Sequence, residues 1–359
     1  MLQIQKVSYS SSLLAKIIGY MIERPEWRYF LLIFMLHIIS MALTLFAAMA
    51  ISSPFSFWFT DTSFVIEVAT LYLLLLGLFW DGGVIFFGML VNYTRDKFNI
   101  KINPILSLEN SRSLRFFSNG IPSICIVLMT CLAIMGTSNI TLLSFKLLSN
   151  VTEWRDHIFW AIEEPLFVWL STLSINTTFW DSLYHSCWPL EMAMVCFLII
   201  VSQGSRMVFF YGFSMIILYY MGRFVGILNP LKGPAFYKPE YFNHKEGSLT
   251  QMAVERLNNT LAMPPEQAVD HGGILLGGIS AMPSLHIGMV VLTSYWMYLA
   301  KKWTLFATIP WVVMVWISTV VLGWHYVVDG IGGVLLAIFS IWATRYLLSF
   351  SWGGLAKNL

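Results

Sequence analysis

Charge is what this sequence has least of. Of its 359 residues, 11% are Asp, Glu, Lys or Arg, under half of the roughly 25% usual for soluble domains, while 57% are hydrophobic and 16% aromatic. With a mean hydropathy of +0.71, such a chain lacks the polar surface of a water-soluble domain and reads as a polytopic membrane protein. The formal net charge of +2 is spread thinly, with no concentrated basic stripe, which argues against a nucleic-acid partner. Cysteine is scarce too. Cys125, Cys131, Cys187 and Cys196 stand in or beside apolar runs with no CxxC pair, the pattern of thiols packed among helices and not of a metal site. No internal repeat or low-complexity tract is present.

What is there is a series of long apolar runs. Windows of roughly 20 apolar residues, enough to cross a bilayer, fall at 29–51, 66–92, 119–137, 189–204, 207–228, 284–300, 304–323 and 326–348. The expected fold is an all-α polytopic membrane protein of about eight transmembrane helices. Residues 1–28 hold Lys6, Lys16, Arg24 and Arg28 around an apolar stretch, Leu13 to Met21, too short to span and without a small-residue cleavage site. That pattern predicts a cytoplasmic interfacial helix and not a signal peptide.

The segments between the runs alternate in charge. Lys and Arg occupy the N-terminus, the loop with Arg95, Lys97, Lys101, Arg112 and Arg115, the turn at Arg206, the turn at Lys301 and Lys302, and the tail with Arg345 and Lys357. The positive-inside rule places all of these, and both termini, in the cytoplasm. Segments 52–65, 138–188 and 229–283 and the Gly323–Trp324 turn then share the opposite face. The 138–188 segment carries Trp154, Trp160, Trp169, Trp180 and Trp188, and is expected to lie on the membrane as interfacial helices. Asn139, Asn150, Asn176 and Asn258 open glycosylation sequons on this face, which matter only in a eukaryotic secretory pathway. Asp81, mid-span beside Gly82 and Gly83, marks either a proton or ion path or a carboxyl satisfied by neighbouring helices.

Chemistry-bearing residues gather late in the chain, in Pro283-Ser284-Leu285-His286 and in His325-Tyr326-Val327-Val328-Asp329. The order of spans brings both segments to one depth on the extracytoplasmic face. His325 and Asp329 are four apart, so on a helix the carboxylate can fix the imidazole tautomer and leave the other ring nitrogen free to attack. Pro283 and Ser284 are good helix-start residues, and a helix start offers amide donors to a phosphate.

The two motifs together resemble the type 2 phosphatidic acid phosphatase superfamily, and within it the branch of the fungal inositol phosphorylceramide synthases. That branch carries Pro-Ser-Leu-His and His-Tyr-x-x-Asp, as this chain does at 283–286 and 325–329. The resemblance covers about residues 119–348 and implies a six-helix phosphatidic-acid-phosphatase-type core there. Residues 29–118 would be a two-helix N-terminal membrane extension and 349–359 a cytoplasmic tail. It implies a phosphohistidine mechanism, with His325 as nucleophile, Asp329 orienting it and His286 protonating the leaving oxygen, without metal or cofactor. The implied partners are membrane lipids, as phosphate donor, and an alcohol or water as acceptor; the residues name no accessory subunit. The membrane would be the inner membrane of a bacterium or the ER or Golgi of a eukaryote.

Two phosphate-binding features of the family are missing. Where the phosphatases carry Ser-Arg before the histidine, Ser318 is followed here by Thr319, and Lys16 with Arg24-Pro25 imitates the family's first motif with one residue too many. Because phosphoryl transfer needs cationic donors, Arg223, Lys232 and Arg256 are the expected substitutes, with Ser284 at the helix start. The preferred reading is a headgroup transferase, on the strength of Leu285 and Tyr326. Hydrolysis of phosphatidic acid or a polyprenyl pyrophosphate is the alternative within enzymes. A non-enzymatic transporter or scaffold is the alternative outside them, although the paired broken helices of a transporter are not found.

Overall fold

Helices apolar on every face belong in a large core or in lipid, and this chain is built from them. The computed structural model describes residues 25–63, 65–73, 75, 90, 93, 97, 112–148, 154–201, 205–277 and 280–351. Among these residues every regular element is a helix. In chain order they are α1 (Pro25–Ala50), α2 (Arg112–Gly136), α3 (Ser138–Leu148), α4 (Asp156–Ser171), α5 (Thr177–His185), α6 (Cys187–Val201), α7 (Ser205–Leu228), α8 (Pro234–Tyr237), α9 (Leu249–Leu261), α10 (Pro265–Ala268), α11 (Gly272–Gly277), α12 (Leu285–Ala300), α13 (Leu305–Val321) and α14 (Val327–Ser351). Residues 65–73 are helical as well.

Among the described residues, five stretches are long and apolar enough to cross a membrane: Trp27–Ala50, Ile121–Leu147, Ser205–Leu228, Lys302–Val321 and Val327–Leu348. Helices α6 and α12 are shorter apolar helices. Most of the expected 66–92 span, with Asp81, lies outside the described residues, as do most of the 1–28 segment and Asn150.

One expected boundary moves. The run thought to end at 137 continues, because α3 follows α2 across a single turn residue, Thr137. The polar residues that looked like a loop are satisfied locally. The Thr137 hydroxyl donates to Ile134 O at 2.6 Å, and the Asn139 amide donates to Ser56 O at 2.8 Å while accepting from Ser56 N at 2.9 Å. Asn139 is 1% exposed; Asn176 and Asn258 are exposed.

The main core joins α1, α2, α6, α7, α12 and α14. Tyr29 of α1 stacks on Phe209 of α7 at 4.9 Å, and Trp296 of α12, fully buried, gives its indole N–H to Ser214 Oγ at 3.0 Å. Outward faces are apolar too, as at Leu43 and Phe46 of α1. Lipid is as apolar as these side chains, so close packing and interhelical hydrogen bonds hold such a bundle more than water exclusion does. Cys131, Cys187 and Cys196 are buried free thiols and Cys125 a half-buried one. A second cluster, with Trp160 and Phe167 of α4, Phe242, and Tyr326, covers the junction of α13 and α14.

Candidate active site

His325 owes its position to the way α13 ends. Trp324 N bonds Thr319 O at 2.9 Å and Gly323 N bonds Val320 O at 3.0 Å, the paired bonds of a Schellman stop, which needs a left-handed residue after the cap. Gly323 supplies it with φ +75°. A Cβ there would also sit 2.6 Å from Ala235 Cβ and from the Phe242 ring, so backbone and packing both demand glycine. His325 N bonds the same Thr319 carbonyl at 3.2 Å, and His325 is thereby fixed between two helices.

α14 then starts under three carboxylate oxygens. Asp329 Oδ2 reaches back to accept from Tyr326 N at 2.8 Å, half of a capping box. Glu163, from α4, accepts from Val327 N at 2.7 Å and Val328 N at 3.0 Å. Burial raises the Glu163 pKa, outweighing the two amides that favour its charge, and Asp329 nearby raises it further. Asp156, at the start of α4, accepts from Lys232 N and Gly233 N at 2.9 Å each and from the Tyr326 hydroxyl at 3.2 Å. Its pKa is raised by burial, against the pull of those donors. Glu163 holds the first turn of α14 and Asp156 holds the loop beside it.

Within this frame the expected triad assembles. His325 Nδ1 lies 3.6 Å from Asp329 Oδ2, an ion-pair distance slightly long for a hydrogen bond, as catalytic pairs often are without substrate. Asp329 is fully buried. His286, in the first turn of α12, has its ring centre 6.1 Å from that of His325. The two helices meet closely because Gly333 leaves room: a Cβ there would lie 2.4 Å from Ser284 O. Ser284 N also bonds Asp329 O at 3.0 Å, tying the start of α12 to the first turn of α14.

Both histidines line a cavity of about 670 Å³, together with Arg223 of α7, Lys232 and His185. Arg223 is 7% exposed; one guanidinium nitrogen donates to Leu276 O, and Nε has no partner among the described residues. The Lys232 ammonium sits 4.9 Å from the Trp154 ring centre, a cation–π distance. The other two expected binding residues lie elsewhere. Ser284 is fully buried and its hydroxyl caps α12 by accepting from Ile287 N at 3.4 Å. Arg256 is on the exposed side of α9, whose cavity-lining residues are Ala253 and Leu257. Thr319 is 0% exposed and does not line the cavity; its hydroxyl donates to Trp316 O at 2.7 Å.

The sequence model of the PAP2 superfamily matches residues 150–343, more than half of the chain. The chain belongs to the PAP2 superfamily. PAP2 members are phosphatases and phosphotransferases, which makes this protein an enzyme at that level. Searches of curated proteins and of solved structures return no match. The matched segment contains α4 to α13 and most of α14, and so every residue of the histidine–aspartate constellation.

Sequence reasoning passed over three parts of this PAP2 site. Glu163 and Asp156 act on residues far along the chain, and no local spacing announces that. His185 was more legible. It lies four residues after Asp181, with Nε2 3.4 Å from Asp181 Oδ1, the same spacing as His325 and Asp329 in reverse order. Burial lowers the His185 pKa, and Asp181 opposes that shift. Between the histidines stands Tyr184, its ring centre 4.9 Å from His286 and 5.2 Å from His185.

Proposed function

We propose that this PAP2 protein is a lipid phosphotransferase that moves a phosphoryl-linked headgroup through a phosphohistidine at the extracytoplasmic face. The observation that carries the proposal is the meeting of His325, backed by Asp329, with His286 and the buried Arg223 on one cavity. His325 Nε2 attacks phosphorus and forms the P–N bond. The P–O bond to the lipid alcohol breaks, and His286 gives its proton to the departing oxygen. An acceptor hydroxyl then attacks phosphorus, the P–N bond breaks, and its proton passes to His286, which is restored. Asp329 keeps the proton on Nδ1 and stabilises the imidazolium that forms. Arg223 and Lys232 face the charge that grows on the phosphoryl oxygens.

Leu285 and Tyr326, shared with the inositol phosphorylceramide synthase branch, support an alcohol as acceptor. Of the two, Leu285 lines the cavity, whereas Tyr326 is fully buried and bonded to Asp156. Water in the same place gives a phosphatase. The test is mass spectrometry of lipids after incubating purified protein with candidate phospholipids, with and without an alcohol acceptor. A new headgroup-bearing lipid formed only with the alcohol establishes the transferase. Free phosphate regardless of the alcohol makes it a phosphatase, and no turnover of any phospholipid overturns the reading.

A further inference from the structure

The active-site cavity is lined by two unlike sets of residues. One is the histidines, Arg223 and Lys232; the other is largely apolar and includes Val65, Val68, Tyr72, Met192, Leu257 and Ile274. No carboxylate is among the described residues that line it. A lining that combines cations with an apolar wall fits an amphiphile with an anionic head, and the volume is within the ~300–1,000 Å³ of sites that enclose most of a small ligand.

Three of the wall residues come from outside the segment matched to the PAP2 superfamily. Val65, Val68 and Tyr72 follow the i, i+3, i+7 spacing of one helix face, in a stretch that is helical from 65 to 73. Ala69 and Leu73 of the same helix are buried in the main core, which fixes the helix against the bundle. Val68 is nonetheless 51% exposed, and Pro189 of α6, also exposed, lines the same cavity. The apolar lining therefore includes residues that are also exposed on the outside of the bundle.

We propose that the apolar part of this cavity holds a hydrocarbon chain of the lipid substrate, and that Val65, Val68 and Tyr72 select chain length. The inference rests on the lipid-phosphate reading of the site and assigns a specificity role to residues the superfamily match does not include. Each methylene buried against such a wall changes kcat/KM about fourfold, so an indole at position 68 that excludes two of them changes it on the order of tenfold.

The test uses the full chain in nanodiscs with a series of phosphatidic acids from dihexanoyl to dipalmitoyl. In Val68→Trp the ratio of kcat/KM for the long-chain over the short-chain substrate is expected to fall roughly tenfold or more, with a smaller fall in Val65→Phe. Phe306→Trp, on a surface 87% exposed and away from the cavity, leaves the ratio unchanged. An unchanged ratio in both cavity variants overturns the proposal. A second measurement is independent of turnover: a phosphatidic acid with a mid-chain diazirine is irradiated with the protein, and labelled peptides are mapped. Label on 65–72 that Val68→Trp diminishes supports the chain site, and label absent from that segment overturns it. An inactive wild type that still labels there would sink the catalytic reading alone.

Discussion

Replacing Glu163 with alanine removes both acceptors from the amides that open α14, bonds of 2.7 and 3.0 Å in the structure. Losing a carboxylate cap costs about 0.5–2 kcal/mol. Val327 and Val328 are half-buried, so water can replace only part of this, and the expected loss is about 2 kcal/mol. Glutamine keeps one acceptor, and its loss should be about half as large. The loosened turn is the one in which Asp329 bonds Tyr326 N and faces His325. Misplacing a catalytic group is what lowers kcat, and about 1.4 kcal/mol at the barrier is tenfold. We therefore expect kcat to fall roughly tenfold in Glu163→Ala and less in Glu163→Gln, with KM nearly unchanged because Glu163 does not line the cavity.

Acidity separates this positioning role from a merely structural one. Burial lifts the Glu163 pKa above the ordinary 4.5, so the ionised cap is lost at a higher pH than a free glutamate would allow. Activity should fall on that acid limb, and Glu163→Gln, which cannot titrate, should lack its Glu163 component. Stability moves the other way. With the folded pKa above the unfolded one, protonation favours the folded state; this contribution is full below the unfolded pKa and is lost as pH rises through the folded pKa. Steady-state kinetics in nanodiscs across pH, beside thermal unfolding followed by tryptophan fluorescence, reads both arms. Wild-type kcat and melting temperature in Glu163→Ala would refute the reasoning.

Turnover should vanish in His325→Ala and in His286→Ala while membrane insertion persists, and Asp329→Asn, which keeps an oxygen for Tyr326 N, should retain more activity than His325→Ala; a lipid-phosphate assay normalised to inserted protein checks all three. Arg223→Gln is expected to cut kcat/KM by a factor on the order of 10² to 10³, as for losing one donor to a developing charge, with Lys232→Gln also impaired. Thr319→Arg should rescue neither, since position 319 is closed off from the cavity. On sidedness, a cysteine replacing exposed Met252 of α9 should react with an impermeant thiol reagent from the extracytoplasmic side, and one replacing exposed Trp303 should not.

Apolar runs gave away the helices because lipid and core ask for the same residues, and the motifs at 283–286 and 325–329 located the histidines because their chemistry is written in short spacings. Other features resist a reading by spacing. Asn139 looked like a loop residue and is a buried helical one, because its partner, Ser56, is remote in sequence. Thr319, singled out as a missing cation, supplies the carbonyl that holds Trp324 and His325, a backbone role that no side-chain identity announces. Arg223 and Lys232 do face the cavity, while Arg256 is turned away from it by the phase of α9.

The acids around the site follow one physical logic. Asp156, Glu163, Asp181 and Asp329 each take backbone amides at the start of a helix or loop: those of Lys232 and Gly233, of Val327 and Val328, of Leu249 and Thr250, and of Tyr326. An amide left without a partner in a buried site is expensive, and a carboxylate is the strongest acceptor a side chain offers. Asp156, Glu163 and Asp181 thus stitch one segment to another, Asp329 closes its own turn, and none of the four is a cavity-lining residue. The cavity itself shows Arg223, Lys232 and imidazoles. A phosphate entering it would meet these groups first, and the acids that order the loops would act on it only through the groups they hold in place.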